Sequence, residues 1–229
     1  MSTVQNFYEK CPQSLLLKAD NPNFKTHGIK LPARIIVSAP SGTGKTNWVC
    51  NFIALMSADK GTFSEILILT RDTSEALYEF LKLKSPSIQV LEGLQNLPDL
   101  NKKDKEINSL IIIDDLMLTK DQTRVQEYFI RCRKKNVTII YLAQHFYKIP
   151  IIIRQNSNYV VILKAWNKKS LNMMLSEFSV GVEKEELLNI YKYATKDKFH
   201  FLLIDVDESN PERKFRKDFD EFLSQDEFR

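Results

Sequence analysis

"RIIVSAPSGTGKTNWV" occupies residues 34–49, and its reading decides the fold. The apolar, β-rich run 34–39 leads directly into a Gly-rich loop, which is followed by a segment of helical spacing. In a strand-loop-helix of this pattern, backbone N–H groups and the helix N-terminus surround phosphates. The lysine reaches the β and γ oxygens, and the hydroxyl ligates Mg²⁺. Pro40, Ser41, Gly42, Thr43, Gly44, Lys45, Thr46 and Asn47 are therefore the expected cradle. Gly42 and Gly44 give the loop its freedom, Lys45 supplies charge, and Thr46 supplies the metal-binding hydroxyl. Ala39 departs from the pattern, because the first glycine usually stands there. That position ends a strand, where a small residue suffices. The loop predicts phosphate binding without saying whether the triphosphate is a substrate, a switch or a fuel.

Further strands are predicted at 65–70, 87–91, 110–114, 137–143, 159–164 and 199–206. Several are apolar throughout, as strands covered on both faces are, and the stretches between them are long enough for crossover helices. The pattern predicts an α/β fold with a mainly parallel central sheet flanked by helices. Val49, Phe52, Ile53 and Met56 fall at i, i+3, i+4 and i+7, so a helix begins near Thr46 and packs one side on that sheet. Trp48 belongs to its core rather than to a base-stacking site. Residues 1–33, broken by Pro12, Pro22 and Pro32, read as an arm laid over a domain at 34–207. In the tail, 208–229, Phe215, Phe219 and Phe222 recur at helical spacing and predict a docked C-terminal helix.

The second half of a Mg-nucleotide site is a carboxylate at the tip of an apolar strand, and "SLIIIDDLM" provides two. Asp114 is the candidate metal-holding acid. Asp115 faces the γ-phosphate and can orient or deprotonate an attacking water, a task that a kinase or GTPase does not require of a second acid. The strand at 137–143 ends in Gln144, at the carboxyl edge where ligands of open α/β sheets sit. Its amide can bond both a γ-phosphate and a water. In "FIRCRKKN", Arg131, Arg133, Lys134 and Lys135 crowd together. A solvated face, an arginine acting on a neighbouring subunit and a DNA phosphate contact would all use such residues. Phe146 and Tyr147 follow near the same edge, open to packing or binding.

Bulk composition narrows little else. The 229 residues suffice for one sizeable core, and the net charge of +4 permits nucleic-acid contact without requiring it. Cys11, Cys50 and Cys132 are scattered, with no zinc-type spacing, which suits a reducing, intracellular compartment. Neither a signal peptide nor an apolar run of membrane-spanning length is expected.

Taken in order, "APSGTGKT", "LIIIDDLM" and "FIRCRKKNVTIIYLAQHFYKIPIIIRQNSNYVVILK" resemble the poxvirus-type genome-packaging ATPases of the FtsK/HerA superfamily, over about residues 25–225. The resemblance implies a RecA-like core, hydrolysis of ATP with Mg²⁺, and a homo-oligomeric ring of five or six subunits. It also implies translocation of double-stranded DNA into a preformed capsid, and a place in the host cytoplasm, a viral factory or the virion. By position, Lys45 and Thr46 match the phosphate-loop residues, Asp114 the metal acid, Asp115 the catalytic acid and Gln144 the sensor. Cellular members usually carry glutamate at the place of Asp115, so a shorter arm must act here. The arginine acting in trans is sought first at Arg133, then at Arg131 and Arg154; candidate DNA contacts are Lys134, Lys135, Lys148, Lys168 and Lys169. An AAA-type loader would need a C-terminal helical lid, for which the chain after Asp207 is short. A nucleotide kinase would need an arginine-rich lid, and a degenerate phosphate-loop protein would bind nucleotide without hydrolysis.

Overall fold

The continuous apolar runs become strands because each is covered on both faces. In the computed structural model, which describes residues 4–12, 15–16, 19–58, 60–165, 167–179 and 181–228, all five residues of β1 (Arg34–Ser38) and all seven of β5 (Val137–Ala143) are buried. Residues 1–3, 13–14 and 17–18 of the expected arm lie outside the described residues. The other strands are β2 (Glu65–Thr70), β3 (Ile88–Glu92), β4 (Ser109–Asp114), β6 (Tyr159–Ile162), β7 (Leu202–Asp205), β8 (Phe215–Lys217) and β9 (Glu221–Phe222). They form one sheet in the order β3-β2-β4-β5-β1-β6-β7-β8-β9. The pairs from β3 to β6 are parallel, and those from β6 to β9 are antiparallel.

Helix α1 is the single turn Phe24–His27 in the arm. One face of the sheet carries α2 (Lys45–Met56) and α3 (Ala76–Lys84). Trp48, Val49, Phe52, Ile53 and Met56 of α2 are buried there with Ile29 and Ala33 of the arm. The other face carries α4 (Thr123–Arg131), α5 (Ile151–Asn156), α6 (Lys168–Glu177) and α7 (Lys184–Ala194), which bury Phe129, Ile153, Leu175 and Ile190 among them.

The predicted C-terminal helix is corrected to a hairpin that extends the sheet. Phe215 and Arg216 are adjacent and both buried, the first against the α7 side and the second under His27 and Gly28 of the arm. Consecutive residues reach opposite faces of a strand, whereas on a helix they lie only about a quarter-turn apart. Asp218, at φ +56°, makes the turn that lets Arg216 pair with Phe222. Phe219 swings onto the α2 face to meet Trp48 and Phe201.

Strand order positions the site. With β5 between β1 and β4, Ser38 stands beside Ala143, and Asp114 beside Leu142. The residues that follow these tips, the phosphate loop, Gln144 and Asp115, therefore emerge side by side at one carboxyl edge, as open α/β sheets require of a ligand site.

Candidate functional site

The loop after β1 is shaped by its glycines. Gly42 and Gly44 have φ of +73° and +105°, and a Cβ on Gly44 would lie 2.7 Å from Phe199 Cδ1. Ala39 needs no such freedom: it continues the strand, donates its N–H to the Ala143 carbonyl at 3.0 Å and is buried. Thr43 Oγ1 braces the loop by donating to the Pro40 carbonyl at 2.7 Å. The first turn of α2 has no side-chain cap, so its N–H groups are open to an anion.

Lys45 is buried, and its ammonium donates to the Ala39 and Pro40 carbonyls at 2.9 and 3.1 Å. Burial lowers its pKa, while Asp114 and Asp115 oppose that shift. A phosphate would replace the two carbonyls as its partner. Asp114 closes β4 and accepts a 2.7 Å hydrogen bond from Tyr78 Oη. Burial pushes the Asp114 carboxyl up to about 6 against that bond, with Asp115 adding to the rise and Lys45 resisting it. The Tyr78 phenol is pushed up by burial and by the Asp114 charge. Asp115 sits in the left-handed region at φ +56°, where aspartate is one of the few non-glycine residues at ease. Its Oδ2 accepts a hydrogen bond from Gln144 Nε2, whereas its Oδ1 is buried with no partner among the described residues.

These groups face one open cleft of about 500 Å³, lined by Ser41, Gly42, Gly44, Lys45, Thr46 and Asn47 on one side and by Asp114, Asp115 and Gln144 on the other. Pro40 lines the adjoining hollow beside Gln144. The donor set fits Mg²⁺: a hydroxyl and two adjacent carboxylates, one of which has a buried oxygen with no partner among the described residues, suit a cation. No cluster of three His, Cys, Asp or Glu among the described residues could cage one. A magnesium ion that keeps its waters and takes phosphate oxygens needs no such cage. Trp48 and Phe146 are core residues, 2% and 1% exposed.

The arginines lie elsewhere. Arg131 and Arg133 flank Cys132 at the amino end of β5, a strand's length of about 20 Å from Gln144. Arg131 pairs with Glu127 and donates to Asn101 Oδ1 at 2.8 Å. Arg133 is exposed, with no side-chain hydrogen bond or ion pair among the described residues. Arg154, the third candidate for the arginine acting in trans, is buried, paired with Glu177 and set 5.1 Å over the Phe146 ring. The candidate DNA lysines also divide, since Lys134 and Lys135 share the amino edge while Lys148, Lys168 and Lys169 follow the carboxyl ends of β5 and β6.

Sequence reading missed Glu75 and Leu77, which line the cleft, Tyr78, which bonds Asp114, and Phe199, which crosses Gly44. The first three follow β2, and only the pairing of β2 with β4 brings them to the acids. The sequence places Phe199 first in a strand at 199–206, whereas the strand begins only at Leu202 and Phe199 has a positive φ of 72°.

The family described as Poxvirus A32 protein matches residues 23–210. No curated protein sequence matches the chain. Among solved structures, the genome packaging NTPase B204 from Sulfolobus turreted icosahedral virus 2 in complex with ATP-gammaS is similar with a TM-score of 0.57 at 17% identity, covering 85% of this chain and 100% of that one. Its AMPPCP complex gives 0.60 at 15%, covering 82% and 97%. EssC (ATPases 2 and 3) from Geobacillus thermodenitrificans gives 0.54 at 8%, covering 82% of this chain and 39% of that one. These likenesses establish the P-loop NTPase fold.

Proposed function

The chain belongs to the poxvirus A32 protein family, and from that premise we propose that it is the ATP-driven motor that moves double-stranded DNA into a viral capsid. The observation that carries the reading is the Gln144 amide on Asp115, beside Asp114 and facing Lys45 across the phosphate cleft. A kinase positions an acceptor hydroxyl, whereas a carboxylate backed by an amide positions water. Support also comes from B204, which is described as a DNA-packaging ATPase and shares the fold.

Lys45 and the loop N–H groups hold the β and γ phosphates, and Thr46 and Asp114 hold Mg²⁺, which when bound offsets charge on the phosphate oxygens. Asp115 Oδ1 takes the proton of a water that Gln144 orients toward the γ-phosphorus. The water oxygen forms the new bond, the β–γ bridge breaks, and its electrons leave with the diphosphate. Subunits assemble into a ring in which Arg133 of one chain completes the neighbour's cleft. Lys148, Lys168 and Lys169 contact DNA phosphates, since they follow the strand tips that carry Gln144 and the β6 end.

Mixing defective subunits tests the shared site. Lys45→Ala and Arg133→Ala are each expected to lose turnover, the second by about 1000-fold or more, the scale of an arginine finger. Mixed rings are expected to regain part of it, because some interfaces then unite an intact loop with an intact arginine. No recovery in mixtures that demonstrably co-assemble would remove Arg133 from the neighbour's site.

A further inference from the structure

The phosphate cleft has two exits. One passes Gln144 into a hollow of about 300 Å³ walled by Pro40, Phe146 and Met174. The other crosses Asn47 and Phe199 into a second hollow of about 300 Å³ floored by Trp48 and Phe219. The direction of the bound phosphates chooses between them. Lys45, Asp115 and Gln144 gather at the γ end, so the chain of phosphates runs away from Gln144 toward Asn47, the residue after Thr46 in the first turn of α2. The sugar and base leave on that side.

Phe199 has features that packing alone does not explain. It holds φ +72°, rare for a bulky residue, and remains 49% exposed. Its ring edge lies against Gly44, which has no Cβ to displace it. What stands over the ring face is the exposed Lys198 ammonium, 4.8 Å from the centroid, a flexible group that a flat π-system can displace. The floor behind is aromatic, with Trp48 and Phe219 both packed on Phe201. The rim is polar, formed by Asn51 and by His200 Nδ1 at 2.6 Å from Asp218 Oδ2. The buried indole N–H of Trp48 has no acceptor among the described residues. We propose that this hollow receives the purine base of the nucleotide, with Phe199 as its stacking platform. The inference rests on the nucleotide reading above and assigns the base a site within it.

Calorimetric titration of the full chain with Mg·ATP and with Mg·tripolyphosphate separates base from phosphates. Phe199→Ala is expected to weaken ATP about 10-fold, the effect of losing one base–aromatic stack, and to leave tripolyphosphate unchanged. Phe199→Tyr, which keeps a ring, is expected to bind ATP like the parent. In a Trp166→Phe background, ATP but not tripolyphosphate is expected to change Trp48 fluorescence. Equal weakening of both ligands by Phe199→Ala would make the ring a brace of the phosphate loop and overturn the proposal, as would undiminished ATP affinity with a silent Trp48. If the parent bound neither ligand, the nucleotide reading itself would fall and this inference with it; tripolyphosphate binding without ATP preference would overturn the inference alone.

Discussion

At Gly44 two demands coincide, a φ of +105° and the approach of Phe199, while at Gly42 only the backbone demand exists, since nothing lies within 4 Å of its missing Cβ. Gly42→Ala is therefore expected to cost about 1–2 kcal/mol, the left-handed penalty for an L-residue. Gly44→Ala is expected to cost measurably more in urea unfolding and to lose nucleotide binding. Equal costs would mean that Phe199 yields freely. Ala39→Gly points the other way: restoring the usual glycine removes a buried methyl from a strand end, so stability is expected to fall by about 1 kcal/mol with ATP affinity unchanged. A gain in affinity would show that the alanine impairs the loop. Asp114 and Asp115, adjacent in sequence, are set apart by their partners, Tyr78 for one and Gln144 for the other. The acids and the glutamine were legible because each ends an apolar run; their separate partners were not, because strand order chose them.

The arm and the tail hairpin are joined element to element through Arg216, which is buried, donates to the His27 carbonyl at 2.8 Å and lies 3.7 Å from Asp205. His27 accepts the Ile29 N–H on Nδ1, and burial with the Arg216 charge lowers its pKa from 6.5 to about 4. A histidine whose folded value is depressed contributes stability that is fully present above the unfolded value, 6.5, and lost as pH falls toward 4, because the unfolded chain takes the proton first. His27→Gln is expected to lessen the decline of Tm between pH 6.5 and 4 in calorimetry; parallel pH profiles would deny the linkage. This junction explains why the tail misled: the three phenylalanines satisfy a helical spacing, but the buried charge next to Phe215 needs a strand's opposite face. The seven core strands were legible as short β-rich runs, several of them apolar throughout, whereas a helix packed on one side shows its apolar residues at a spacing of three and four. The α6–α7 pair between β6 and β7 was not, since its apolar residues alternate with a dense charge pattern that periodicity alone does not assign to a partner.

On the scale of the whole molecule, the sheet separates two basic groups that look continuous in a list of lysines. Lys134 and Lys135 lie beside Arg133 at the amino edge, and Lys148, Lys168 and Lys169 lie past the strand tips at the nucleotide edge. If the amino edge completes a neighbour's cleft, the carboxyl-edge group is left for DNA. Lys148→Glu, Lys168→Glu and Lys169→Glu together are expected to abolish DNA stimulation of turnover. The parent's DNA affinity is expected to fall steeply with salt, by roughly one power of salt concentration per phosphate contact. Stimulation that survives these reversals but is lost in Lys134→Glu/Lys135→Glu would move the DNA to the other edge. The most direct test of the motor is steady-state ATP hydrolysis with Mg²⁺, with and without long double-stranded DNA, at low salt and at a protein concentration that favours rings. Turnover is expected to rise with DNA, and Asp115→Asn is expected to lose it while still binding ATP. Turnover indifferent to DNA but dependent on a small phosphoryl acceptor would contradict a DNA motor.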